Sequence, residues 1–134
     1  MAKAFALKIV TPEGPAYAGQ VQSLRLPGED GEFGILARHA PLLAALAAGV
    51  IELVDDGGNK KVLAVGDGFV EVGGGEVSVL TDFVNLAGEV DVERAEKARA
   101  RAEERLRRID NLDETRARAA LMRAMARLRA RSRA

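Results

Sequence analysis

The chain has 134 residues, 48% of them hydrophobic, with 20 Lys+Arg against 20 Asp+Glu, the profile of a soluble globular protein of one medium domain or a small domain with an appendage. The absence of Cys excludes disulfides, thiolate metal sites and cysteine nucleophiles, and the single histidine, His39, excludes sites built on several histidines. No run of about 18 apolar residues is present to span a membrane, and the opening Met-Ala-Lys-Ala-Phe lacks the apolar core of a signal peptide, so a cytosolic-side protein is expected.

In chain order, the first part reads as short strands separated by tight turns. Residues 4–10 form an apolar-rich strand ended by Thr11-Pro12-Glu13-Gly14. Residues 21–26 alternate in character and stop at Pro27-Gly28-Glu29-Asp30-Gly31. The stretch from there to Pro41 contains Glu29, Asp30, Glu32 and His39, which could form a metal or acid–base site or could simply be turn residues organising the sheet. Residues 40–48 are apolar and Ala-rich, and the pattern leaves open a buried loop or a brief helical turn. Residues 50–54 and 60–65 flank Asp55-Asp56-Gly57-Gly58-Asn59 as a hairpin, and residues 69–72 and 77–81 flank Gly73-Gly74-Gly75 as another. Short strands at this spacing predict an antiparallel sandwich or barrel.

Near residue 90 the composition changes. Residues 1–89 carry six cations against twelve carboxylates, a balance of −6, while residues 90–134 carry fourteen against eight, a balance of +6. The second part has no Gly and no Pro, and Lys97 is its one lysine; the other cations are Arg, the side chain suited to bidentate contact with phosphate or carboxylate. Such a tail must fold back on its acidic partner, bind an anionic ligand, or dock on another acidic protein.

Asp91 is placed to cap a helix over residues 92–108, about 25 Å long, with Ala95, Ala98, Ala102 and Leu106 along one face. Ile109-Asp110-Asn111-Leu112 makes a turn, and Asp113 caps a second helix whose apolar face carries Ala117, Ala120, Leu121, Ala124, Met125 and Leu128. A link this short makes the helices antiparallel neighbours. The expected architecture is α+β: an N-terminal antiparallel β-sandwich over residues 1–88, then a C-terminal antiparallel α-helical hairpin over residues 89–134. An Ala seam buries about 0.8 kcal/mol per methyl, so docking should be marginal; the hairpin reads either as a displaceable element or as a fixed cap on the sandwich.

Both helices open with apolar-Asp-x-x-Arg-Ala, at Val90-Asp91-Val92-Glu93-Arg94-Ala95 and at Leu112-Asp113-Glu114-Thr115-Arg116-Ala117. A cation in the first turn opposes the helix dipole, and an anion bound there would reverse the penalty; the alternative is surface pairing of each Arg with nearby Glu. Arg94 and Arg101 are two turns apart on the first helix, and Arg123 and Arg127 one turn apart on the second. An antiparallel hairpin can bring the four around one anionic pocket for a polyanion such as a nucleotide triphosphate. No G-x-x-x-x-G-K-[ST] phosphate loop occurs, so a nucleotide here would be sensed rather than hydrolysed. No nucleophile–base constellation marks an enzyme. Nucleic-acid binding by the Arg-rich tail is the competing reading, opposed by the single Tyr, the four Phe and the interspersed Glu.

Thr11-Pro12-Glu13-Gly14, the run from Leu26-Pro27-Gly28 to His39-Ala40-Pro41, Leu46 through Gly49, and the two-helix tail closely resemble the epsilon subunit of the rotary F-type ATP synthase (delta in mitochondrial naming) over essentially the whole chain. The resemblance implies a non-catalytic rotor subunit of a proton-translocating enzyme, with its sandwich against the gamma subunit and the ring of c subunits. It implies a hairpin that folds down on the sandwich or extends along gamma toward the alpha/beta catalytic hexamer, inhibiting ATP hydrolysis when extended. It also implies a peripheral position on the cytoplasmic face of the bacterial plasma membrane, with membrane contact only through the complex and no nucleic-acid partner. Some bacterial members bind ATP, as a regulatory ligand and not a required cofactor, through [Ile/Leu]-Asp-x-x-Arg-Ala. By that resemblance the ATP-site residues are Asp91, Arg94, Ala95, Arg101, Arg123 and Arg127, joined by Val90 and by Asn85, which stands where family ATP sites carry a carboxylate.

Overall fold

In the computed structural model, which describes residues 3–108 and 114–134, strand β1 (Phe5–Thr11) turns Phe5, Leu7 and Ile9 inward and Lys8 outward. A turn leads to β2 (Gly14–Gly28), longer than its alternating segment suggests. Its first half pairs with β1, and its second half pairs with β3 (Gly31–Leu36) and β5 (Gly49–Asp55). β6 (Lys60–Val65), β7 (Gly68–Gly73) and β8 (Glu76–Thr81) complete the two expected hairpins, β5–β6 and β7–β8. Gly74 and Gly75 turn the second hairpin at φ of 61° and 77°, left-handed backbone that favours glycine.

Three segments differ from the expectation. The Ala-rich stretch at 40–48 contains a strand, β4 (Leu42–Leu46), paired antiparallel with β7. Its composition is a weak β-former, and pairing with β7 overrides that preference. The segment after Gly31 is also a strand, β3, rather than an extended turn. A three-residue strand, β9 (Val84–Leu86), pairs with β6 and leads through a 3-10 turn (Ala87–Glu89) into the tail. Among the described residues the sheet runs β1-β8-β7-β4-β2-β5-β6-β9, with β3 on β2 and β1 also on β2. All these pairings are antiparallel but one: β1 runs parallel to β8.

The two-helix tail consists of α1 (Val92–Leu106) and α2 (Glu114–Arg133). Asp91 caps α1, its side chain accepting from the Arg94 N–H at 3.1 Å. The expected turn at 109–112 and the cap at Asp113 lie outside the described residues. α1 packs on α2, and α2 packs on β5 and β6. Those two strands are therefore covered on both faces. Ile51, Leu53, Leu63 and Val65 point into the sandwich core, and Val50, Val62 and Ala64 form a second apolar cluster with Ala126 and Ala130 of α2.

The helix faces are narrower than the spacing suggests. Ala95, Ala102, Ala117 and Ala124 are buried, whereas Ala98 is exposed and Met125 keeps 38% of its surface. α2 has to present one strip to α1 and another to the sheet, so Ala126 and Ala130 become buried and Met125, between the strips, is left at the edge.

Candidate functional site

Where α1 begins, the strand–helix junction and the last third of α2 enclose a cavity of about 280 Å³. Its walls include Asn85 from β9, Val90 and Asp91 at the helix entry, Arg94 and Ala98 of α1, and Arg127 of α2. Glu89 and Ala95 complete the wall, so Ala98 faces the cavity instead of the seam. The Asp91 cap sets the direction of the first turn of α1 and so places Arg94 at the opening.

Arg127 is the best-defined group of the site. Its Nε donates to Asn85 Oδ1 at 2.7 Å, and its guanidinium carbon lies 4.2 Å from the centroid of the Phe83 ring. Burial holds its pKa below the ordinary guanidinium value, and the positive charges of Arg123 and Arg94 push the same way; Asp82 acts in the opposite direction. Neither Arg94 nor Arg127 forms an ion pair among the described residues.

Of the residues named from sequence, Asn85, Val90, Asp91, Arg94, Ala95 and Arg127 share this cavity. Arg123 does not line it, but it is half-buried and close enough to act on Arg127 through its charge. Arg101 is exposed and is not part of the wall, because two helical turns carry it beyond the cavity. Phe83 was missed in the sequence. An aromatic two residues before Asn85 reads as ordinary strand content, and only the fold brings α2 over its ring.

Many other cations of the tail are taken up locally. Lys97 pairs with Glu93 at 3.1 Å, Arg99 with Glu96 and with Glu103 at 2.8 Å, and Arg118 with Glu114 at 2.8 Å. Such one-turn pairs contribute about 0.3–0.5 kcal/mol each, and they break up any continuous cationic track. Arg133 instead reaches the sandwich, 3.7 Å from Glu32 and 3.9 Å from Glu52.

The acidic loop does not gather a metal site. Among the described residues no group of three or more His, Cys, Asp or Glu is arranged to hold an ion. Glu32 lies beside Arg25 at 3.9 Å as well as Arg133, and His39 Nδ1 is 2.7 Å from the Ala40 carbonyl oxygen. No described helix is long and apolar enough to cross a membrane.

Residues 4–87 match the family model of the β-sandwich domain of the ATP synthase delta/epsilon chain, and residues 89–131 match that of its long α-helix domain. The ATP synthase epsilon chain of Symbiobacterium thermophilum is 48% identical over 126 residues, covering 92% of this chain and 90% of that one. That of Nitratidesulfovibrio vulgaris is 43% identical over 135 aligned positions, covering 100% of both. Among solved structures, a chain of the Euglena gracilis mitochondrial ATP synthase superposes with a TM-score of 0.82 at 24% identity, covering 92% of this chain and 78% of that one. A chain of the Tetrahymena thermophila central stalk and c-ring assembly gives 0.66 at 13% identity, covering 94% and 95%. These two likenesses speak to the fold.

Proposed function

The chain belongs to the ATP synthase delta/epsilon family, as an epsilon-type subunit, and on that premise we propose that it is a non-catalytic rotor subunit whose hairpin is a displaceable brake on ATP hydrolysis, held closed by bound ATP. In this reading the sandwich sits against gamma and the c-ring, the extended hairpin reaches the alpha/beta hexamer, and the subunit is peripheral at the cytoplasmic face of the membrane.

The observation that carries the reading is the pair Arg94 and Arg127, on different helices and lining one cavity, neither of them ion-paired among the described residues although Glu89 and Asp91 share the wall. Folding the hairpin brings these cations together, which costs free energy that a polyphosphate between them would offset. A ligand binding only the closed form stabilises it by about 2.7 kcal/mol at a hundredfold excess over its dissociation constant. That is comparable with what a few buried Ala methyls supply at about 0.8 kcal/mol each. The closed state is thus within reach of control by a nucleotide.

Two measurements test it. Calorimetry with ATP should give a saturable heat that Arg94→Ala weakens about tenfold or more and Arg129→Ala leaves nearly unchanged, since a hydrogen bond to a charged group is worth about 1.5–3 kcal/mol. Equal losses would indicate diffuse electrostatics, and no heat at millimolar ATP would remove the site. Separately, truncation after Gly88 in the assembled enzyme should raise ATP hydrolysis; unchanged rates would remove the brake.

A further inference from the structure

We propose that the hollow between the open edge of β6 and the last turn of α2 binds a small amphipathic anion, a carboxylate carried on an apolar chain. The hollow measures about 900 Å³, a size typical of small-molecule sites. It shares only Glu89 with the cavity at the start of α1, so the proposal stands apart from the nucleotide reading. The way the strands end creates it. β6 pairs with β5 over residues 60–65 but with β9 only over residues 63–65. The chain then leaves the sheet through the 3-10 turn, and among the described residues no strand continues alongside residues 60–62. The gap is lined by Tyr17 from β2, Val62 from β6, and Val84 and Leu86 from β9. Tyr17 and Val84 are only half-buried against the sandwich core, and Leu86 keeps 41% of its surface exposed. An apolar moiety seated there would cover all three.

The rim decides the sign of the ligand. Lys60, Lys61 and Arg133 line the hollow against one acidic side chain, Glu89. Lys60 and Arg133 are loosely engaged: Arg133 lies 3.7 Å from Glu32 and 3.9 Å from Glu52, and Lys60 lies 4.0 Å from Glu52. Part-exposed pairs this long are weak, so an incoming carboxylate can compete for both cations. Lys61 forms no ion pair among the described residues, and its ammonium lies 5.5 Å from the centroid of the Tyr17 ring. At that end the field is opposed by Asp55 and Asp56, whose charges join burial in raising the Tyr17 pKa. The head group therefore belongs beside Lys60 and Arg133, and the apolar chain against Tyr17 and β9. Lysines on a bare strand edge also discourage pairing with another chain, but that role needs no apolar hollow beside them. A molecule held here touches both the sandwich and the end of α2, so its binding favours the docked hairpin.

The test uses the full chain with octanoate and decanoate, and with decyltrimethylammonium as the cation of matched chain length. Tyr17 is the chain's one tyrosine and there is no Trp, so intrinsic fluorescence reports this wall alone. Decanoate should change that fluorescence saturably and bind roughly tenfold more tightly than octanoate, since each buried CH₂ is worth about fourfold. Replacing both lysines, Lys60→Gln with Lys61→Gln, should weaken decanoate about tenfold and keep the gain from octanoate to decanoate. Ala16→Phe, at an exposed position on the wall, should weaken decanoate more than octanoate without moving the ligand-free thermal midpoint. Arg94→Ala, in the other cavity, should change nothing. Decyltrimethylammonium binding as tightly as decanoate, or full decanoate affinity in the double lysine variant, overturns the assignment of an anion. Decanoate binding that is lost in Arg94→Ala, or that leaves Tyr17 fluorescence unchanged, overturns the location. No binding at millimolar decanoate overturns the site.

Discussion

Ile9, Leu24, Ile51 and Leu63 fill the sandwich with no more than 1% of their surface exposed, whereas the buried residues described within α1 and α2 are Ala95, Ala102, Ala117, Ala124, Ala126 and Ala130. A branched aliphatic side chain contributes about 1.5–3 kcal/mol on burial, two or three times what an Ala methyl does. The sandwich therefore holds itself together, and the hairpin is held by many small contacts and a few polar ones. Small side chains also leave smooth surfaces that separate without opening large cavities. The proposed function rests on this contrast, with the sandwich as the permanent half of the chain and the hairpin as the half that exchanges.

The largest expected effect comes from breaking the permanent half. Ile51→Ala removes a side chain packed in the sandwich core on a strand covered on both faces. It should cost about 2–5 kcal/mol of global stability, measured by urea unfolding. Gly68→Ala should be comparably severe, because its added methyl would overlap the backbone carbonyl oxygen of Leu80 on the neighbouring strand. A loss under about 1 kcal/mol for both would mean that the two halves differ less in rigidity than their side chains imply.

A smaller effect should separate the halves without unfolding either. Ala126 is 1% exposed and lies in the second cluster with Val50, Val62 and Ala64, so Ala126→Leu overfills that contact at about 1–3 kcal/mol. The hairpin should lift while the sandwich stays folded. The chain has no Cys, so spin labels at Lys8→Cys and Ser132→Cys report that separation alone. A broadened, longer distance distribution with unchanged sandwich unfolding is expected. An unchanged distribution would show that the α2 contact is not the weak link. The same geometry sharpens the truncation after Gly88: the shortened chain should fold, but it exposes the outer face of β5 and β6 and should associate at high concentration.

How much of this could be read in the sequence follows from what each residue's periodicity can encode. The β5–β6 and β7–β8 hairpins were legible because Asp55 to Asn59 and Gly73 to Gly75 carry turn chemistry between apolar runs. β4 was not, since Leu-Leu-Ala-Ala-Leu has no decisive period and becomes a strand through its partner β7. The unbroken run Val62-Leu63-Ala64-Val65 carried a further signal: a strand apolar at every position is covered on both faces, here by the core and by α2. In the site, Asp91 and Arg94 follow from capping rules, and Arg127 from helix spacing. Phe83 and the exclusion of Arg101 from the wall depend on how α2 is seated, which local pattern does not encode.

The smallest expected effect concerns the polar end of the hairpin. Arg133 lies 3.7 Å from Glu32 and 3.9 Å from Glu52, with all three side chains part-exposed. Surface pairs of this kind are worth about 0–1 kcal/mol, and Arg133→Ala leaves neither carboxylate alone, since Arg25 remains 3.9 Å from Glu32 and Lys60 4.0 Å from Glu52. The substitution should therefore shift the labelled distance distribution only slightly toward the lifted form. At about 1 M salt, where screening acts within roughly 3 Å, wild type and variant should coincide. A shift that persists in salt would mean that Arg133 anchors α2 through its aliphatic stem and not through its charge. A loss above about 2 kcal/mol would overturn the division between halves, because a single surface contact would then match two or three of the buried Ala methyls it assists, at about 0.8 kcal/mol each.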